Sequence, residues 1–249
     1  MQNNILIAPS AEELAASAAK LIIEIAKNAI QVRDKFVISL SGGHTPEQLY
    51  TLLSKPPFVN EIPWNKTFIF WGDERCVALD DVQNNANMAK ITLLNHVEIP
   101  QANINAIPVN LPPEKAASQY EETIYTFFGS ERPCFDLVLL GLGENGHTAS
   151  LFPGNNAILN SARLIEETYV AEQKMFRITM TSNLINEAHN VLFLVAGSEK
   201  ASILKTVLTE PYQPNRFPAQ EIKPKHGNLY WLVDSKAAAL LPDHVLHAI

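Results

Sequence analysis

The chain has 249 residues, 47% hydrophobic and 18% charged, which is too much apolar material for a disordered protein. Nineteen Lys and Arg against 26 Asp and Glu give a net charge of −7, so bulk nucleic-acid binding is excluded. A small anionic ligand remains compatible with that charge if a few cations and backbone N–H groups gather locally.

Ser10 followed by Glu13 is a capping box, and Leu14, Ala18, Leu21, Ile22, Ile25 and Ala29 continue as one apolar stripe to about Arg33. A helix is predicted there. Phe36–Leu40 then reads as a short buried strand, followed by the turn Ser41-Gly-Gly-His-Thr45 and a helix with Pro46 near its first position. The same arrangement recurs. Thr67–Trp71 precedes Gly72-Asp-Glu-Arg75, and Asp136–Leu140 precedes Gly141-Leu-Gly-Glu-Asn-Gly-His147. Asn190–Ala196 precedes Gly197-Ser-Glu-Lys200 and an amphipathic helix to about Leu208, and Leu229–Val233 precedes Asp234. Strands apolar on both faces and separated by helices form a mostly parallel sheet covered on both sides. The expected fold is α/β, a single doubly wound, Rossmann-like domain over residues 1–249, with a possible small insertion at 148–189.

Compartment and partners follow from weaker signals. Cys76 and Cys134 form no CxxC pair, the N-terminus lacks the pattern of a signal peptide, and no apolar run is long enough to span a membrane. A cytoplasmic protein without a membrane partner is expected, as a monomer or weak homo-oligomer.

In open parallel sheets, ligands bind outside the carboxyl ends of the strands. Ser41–Thr45, Asp73–Arg75, Glu144–Thr148 and Ser198–Lys200 each follow a strand, so topology should deliver all four to one rim. Gly42 and Gly43 let backbone N–H groups approach an anion at a helix N-terminus; alternatively the segment is an ordinary tight turn capped by Thr45. His147 sits in a polar loop beside Glu144 and Asn145, where an imidazole suits general-base work, although a lone histidine is more often structural. Asp73, Glu74 and Arg75 read either as a surface ion-pair cluster or as a site in which Arg75 offers a forked donor to phosphate or an oxyanion. Lys200 at a helix start opposes the dipole, which makes sense if an anion docks there; a solvated lysine is the plain alternative. Arg177 interrupts an apolar run, either facing water on an edge strand or acting as a second phosphate clamp.

Other chemistries are poorly supported. Gly141–Gly146 matches GxGxxG, but Phe152-Pro-Gly154 interrupts the helix that a dinucleotide fingerprint requires. There is no GxxxxGK[ST] and no HExxH, so no nucleotide or metal cofactor is expected, and no GxSxG elbow, which weighs against a serine hydrolase of the α/β-hydrolase kind.

The segments Leu40-Ser-Gly-Gly-His-Thr-Pro46, Trp71-Gly-Asp-Glu-Arg75 and Gly141–Pro153 resemble the 6-phosphogluconolactonases, within the superfamily that includes the glucosamine-6-phosphate deaminases. Arg177-Ile-Thr, Gly197–Ala201 and Tyr230–Asp234 match more weakly, in the same order. Deaminases typically carry Asp-Glu-Tyr where this chain has Asp73-Glu74-Arg75. The chain also departs from the lactonase pattern once, with Asn145 where Asp is usual. The resemblance implies hydrolysis of 6-phospho-D-glucono-1,5-lactone to 6-phosphogluconate, the second step of the oxidative pentose phosphate pathway, without a cofactor. It implies His147 as base, Arg75 at the oxyanion, and Asp73 orienting either the imidazole or a sugar hydroxyl. Ser41, Gly42, Gly43, His44, Thr45, Glu144, Asn145, Arg177 and Lys200 would surround the phosphorylated sugar lactone. Glu144 or Asp73 would supply the charge that Asn145 lacks. An amino-sugar-phosphate isomerase-deaminase and a non-catalytic sugar-phosphate sensor are the competing readings.

Overall fold

The computed structural model describes residues 4–155 and 162–246. Helix α1 (Ala11–Arg33) starts at the Ser10 cap, whose Oγ accepts the Glu13 N–H at 3.3 Å. It stops where Asp34 turns left-handed at φ 57°. Leu14, Ala18, Ile22, Ile25 and Ala29 are buried along it. The other long helices are α2 (His44–Leu53), α3 (Asn85–Thr92) and α4 (Pro113–Phe128). A further helix spans Ala201–Thr209.

The strands are β1 (Asn4–Ala8), β2 (Phe36–Leu40), β3 (Thr67–Trp71), β4 (Asp73–Arg75), β5 (Leu137–Leu140), β6 (Ile165–Val170), β7 (Met175–Met180), β8 (Asn190–Val195) and β9 (Asn228–Asp234). Six of them form one sheet in the order β1-β9-β8-β5-β2-β3, and every neighbouring pair is parallel. Every residue of β2 and β5 is buried, as expected for central strands covered on both faces. The sheet therefore has one carboxyl edge, and the segments after β2, β5 and β8 emerge on it side by side.

A second sheet, antiparallel and in the order β4-β7-β6, stands beside that edge. Asp73–Arg75, read from the sequence as a polar turn, is thus a strand. Gly72 joins the two sheets: its N–H donates to Leu40 O at 2.9 Å and its carbonyl accepts the Met180 N–H at 2.7 Å. The stretch 148–189 contributes β6 and β7 to this sheet; residues 156–161 lie outside the described residues.

Two buried tyrosines pin the strand ends that carry the rim. Tyr50 Oη accepts the Ser41 N–H at 3.0 Å and donates to Ser41 O at 2.8 Å. Tyr120 does the same to Trp71, at 2.8 and 3.0 Å. Each phenol satisfies both backbone groups of a residue at the strand end, where the ladder gives out. Burial raises the pKa of both phenols, so they remain protonated donors.

Candidate active site

The turn after β2 needs two glycines for two different reasons. Gly43, the residue before α2, has φ 104°, a backbone region that side chains rarely adopt. Gly42 lacks space instead, because a Cβ there would lie 1.9 Å from Asn85 Oδ1. Thr45 is not the cap proposed for this helix; it lies inside α2, and no side chain caps the start. The first N–H groups of α2 are left for solvent or a ligand.

Beside the turn stand Asp73, Arg75 and Arg177. Asp73 and Glu74 are only 6% and 1% exposed, so these residues are not a surface ion-pair cluster. Arg177 is 7% exposed on β7, the middle strand of its sheet, so the reading as an edge residue facing water fails. Its Nη1 lies 3.7 Å from Asp73 Oδ2, and its Nη2 donates to Gln173 Oε1. Asp73 Oδ2 also accepts the Ser150 hydroxyl at 2.7 Å. Arg75 Nη1 donates to Gln83 O at 2.7 Å. The Nε–H groups of both arginines are buried without a protein acceptor.

His147 comes from the loop after β5. Among the described residues no long helix directly follows Gly141–Gly146, so this segment lacks the helix of a dinucleotide fingerprint. The imidazole packs over Gly143, where a Cβ would fall 2.0 Å from Nδ1, and stacks on Phe152 with ring centroids 4.5 Å apart. Asn145 Oδ1 lies 2.6 Å from His147 Nδ1 and accepts the His147 backbone N–H at 3.1 Å. An amide oxygen only accepts, so Nδ1 carries the proton and Nε2 keeps a free lone pair. The partner of the imidazole is therefore the amide of Asn145, with no hydrogen bond from Glu144 or Asp73 among the described residues. Burial pulls the His147 pKa down to about 4; Asp73 opposes this, and Arg177, Lys200 and Arg75 add to it.

Lys200 immediately precedes the helix Ala201–Thr209, and its Nζ lies 3.9 Å from Glu144 Oε1 at the mouth. A single cavity of about 570 Å³ is lined by Ser41, Gly42, Gly43, His44, Thr45, Asp73, Arg75, His147, Arg177 and Lys200. Glu144 and Asn145 do not line it; they flank it through Lys200 and His147. Asn85 and Lys236 also line the cavity, and Ser150 buttresses Asp73 from behind; none of these three was singled out in the sequence. The Asn84-Asn85 pair is a legible helix start, but its contact with Gly42 is a tertiary one. Four cations, Arg75, Arg177, Lys200 and Lys236, line the cavity beside Asp73, Glu199 and Asp234, and make a local basin for an anionic ligand in an acidic protein. Among the described residues, no group of three or more His, Cys, Asp or Glu could hold a metal ion. No described helix is long and apolar enough to cross a membrane.

Residues 9–231 match the model of a family described as glucosamine-6-phosphate isomerases/6-phosphogluconolactonase. The chain is 43% identical to a 6-phosphogluconolactonase of Synechocystis sp. over 213 residues, covering 84% of this chain and 86% of that one. It is 38% identical to a 6-phosphogluconolactonase of Nostoc sp. over 245 residues, covering 97% and 99%. A 6-phosphogluconolactonase from Trypanosoma cruzi superposes with a TM-score of 0.84 at 28% identity, covering 95% of this chain and 96% of that one. A monomeric glucosamine-6-phosphate deaminase superposes with a TM-score of 0.82 at 21% identity, a likeness of fold alone.

Proposed function

The chain belongs to the glucosamine-6-phosphate isomerase/6-phosphogluconolactonase family, and from that membership and the rim geometry we propose that it hydrolyses 6-phospho-D-glucono-1,5-lactone to 6-phosphogluconate. One observation carries this reading. An imidazole with its Nδ1 engaged by Asn145 and its Nε2 free lines the same cavity as a glycine turn at a helix start and four cations.

A lactone carbonyl is already electrophilic, so water can attack it without a metal or a covalent intermediate. His147 Nε2 takes a proton from that water as the oxygen bonds to C1, and the imidazolium then protonates the departing ring oxygen. One water is consumed, the C1–O ring bond breaks, and the new acid ionises to the carboxylate. The low pKa keeps the imidazole neutral at pH 7, in the form a base requires. A phosphate dianion entering the cavity offsets the nearby cations and raises that pKa, strengthening the base once substrate is bound.

Arg75 faces the developing oxyanion, a role worth about 3–4 kcal/mol for a well-placed donor. The Gly42–Gly43 turn and Lys200 hold the phosphoryl group, with Arg177 adding its charge and fixing Asp73. Asp73 receives a sugar hydroxyl, since its hydrogen bonds run to Ser150 rather than to the imidazole. Asn145 stands where the family usually has Asp, yet its oxygen still holds Nδ1–H, which favours an enzyme over a silent sensor. The enzyme would act at the second step of the oxidative pentose phosphate pathway.

The test is a coupled assay with freshly made lactone, following 6-phosphogluconate through its dehydrogenase against an enzyme-free blank. Acceleration over spontaneous opening supports the proposal. Release of ammonia from glucosamine 6-phosphate without lactone hydrolysis would assign the chain to the deaminase branch instead.

A further inference from the structure

We propose that Asn85 is a positioning residue for the phosphate end of the substrate, holding the Gly42 turn at a set separation from Asp73. The inference rests on the lactonase reading for its substrate and on the following geometry for its substance.

Asn85 is polar, lines the cavity and is only 2% exposed. Its Nδ2 donates to the Asp73 carbonyl at 2.9 Å. Its Oδ1 and Cγ lie 1.9 and 2.4 Å from the point where a Cβ on Gly42 would stand. One amide thus touches both the strand that carries Asp73 and the turn that faces the anion. Its own position is set by Glu74. Glu74 Oε1 accepts the N–H groups of Asn85 at 2.7 Å and Arg75 at 2.8 Å, and Oε2 accepts the Ala86 N–H at 2.8 Å. Helix α3 does not need this carboxylate as its cap, because Asn84 Oδ1 already accepts the Asn87 N–H at 2.8 Å. Burying an acid against backbone N–H groups alone is costly. What it secures is the placement of α3, and hence of Asn85, relative to β4.

A lactonase that recognises phosphate at one end and reacts at the other depends on that spacing, and a misplacement of about 1 Å can cost about a hundredfold. Shortening Asn85 leaves a void beside Gly42 into which the turn relaxes. The phosphate end shifts while His147 and Arg75 stay in place.

The experiment compares wild type, Asn85→Ala, Asn85→Asp and Glu74→Gln on 6-phosphogluconolactone and on unphosphorylated glucono-1,5-lactone. It also measures 6-phosphogluconate and gluconate binding by calorimetry. Asn85→Ala is expected to raise KM for the phosphorylated lactone about tenfold, with kcat falling less than about threefold. Its kcat/KM on the unphosphorylated lactone should change less than about threefold, and 6-phosphogluconate should bind about tenfold more weakly. Asn85→Asp should raise KM further, because it adds a carboxylate beside the phosphate. Glu74→Gln should show the same selectivity as Asn85→Ala. Loss of folded enzyme would lower the rate on both lactones by one factor and leave KM alone, and that pattern overturns the proposal, as does an unchanged KM. A wild type inactive on both lactones refutes the lactonase reading instead, while the calorimetry still decides the role of Asn85.

Discussion

Arg75 and Arg177 are register partners across the β4–β7 ladder, which puts two cationic side chains on one face of adjacent strands, close enough for each charge to act on the other. Like charges placed directly opposite destabilise a sheet. Asp73 neutralises only part of this, through Arg177 Nη1 at 3.7 Å, and both Nε–H groups are left without a protein acceptor. Such a pair is suited to an anion that arrives with the substrate. Arg75→Met should lower kcat about 10²–10³-fold, the usual effect of losing one oxyanion donor. It should also shrink the rise in Tm that 6-phosphogluconate produces, while the ligand-free Tm changes little. Calorimetric scans with and without product, beside the coupled assay, check this. A variant with wild-type kcat would remove Arg75 from the chemistry.

His147→Ala should reduce kcat about 10²–10⁴-fold with little change in KM, because it deletes a base and leaves the anion cradle intact. Gly143→Ala gives an independent check without touching the imidazole itself. The added methyl would lie 2.0 Å from His147 Nδ1, so the ring must move off the Asn145 oxygen. We expect kcat to fall in this variant as well, while affinity for 6-phosphogluconate is retained. Steady-state kinetics paired with calorimetry would show whether binding and turnover separate in this way.

Much of the fold is readable in the chain because burial on both faces leaves a plain mark. Leu137–Leu140 is a continuous apolar run and Phe36–Leu40 is apolar but for Ser39, and both are fully buried central strands. A parallel sheet has one carboxyl edge, so the segments after β2, β5 and β8 had to meet. Local pattern fails where polar residues are buried by distant partners. Asp73–Arg75 reads as a loop, yet Glu74 is inside because α3, starting eleven residues on, brings backbone N–H groups to it. For Arg177 the sequence leaves two readings, facing water on an edge strand or clamping phosphate, and local pattern does not separate them; Asp73 and Gln173 hold it inside. At Asn145 a carboxylate is the obvious imidazole partner to look for, and its place is taken by an amide oxygen that meets the same geometric need without the charge. The contact of Asn85 with Gly42 leaves no trace in either segment.

The pH profile should reflect that missing charge. His147 is held down to about 4, chiefly by burial, and only its neutral form accepts a proton. Activity should therefore be level from neutral pH downward and fall only as the pH drops through His147's low pKa. Asn145→Asp places a carboxylate against Nδ1–H and stabilises the imidazolium, so the acid limb of kcat/KM should move up by on the order of 1–2 pH units. Rates at each pH are taken after subtracting spontaneous lactone opening. An acid limb at the same pH in both proteins would mean that the limb belongs to another group.

Glu74 should make stability depend on pH in the opposite sense from an ordinary carboxylate. Burial pushes its pKa up from 4.5 to about 7, with Asp73 adding to the rise, against three backbone N–H groups that favour the ion. A raised carboxyl pKa means that the folded protein holds the proton more tightly than the unfolded chain. Its stabilising contribution is therefore complete below about pH 4.5 and is lost as the pH rises through about 7. The shift corresponds to on the order of 3 kcal/mol. Histidine 147 acts in the other direction at lower pH, so wild-type stability alone mixes the two. The difference between wild type and Glu74→Gln isolates the carboxyl, because the glutamine does not titrate. Urea unfolding at pH 5 and pH 8 should show wild type losing stability relative to Glu74→Gln at the higher pH. An equal difference at both pH values would mean that the three N–H groups outweigh burial and keep Glu74 ionised throughout.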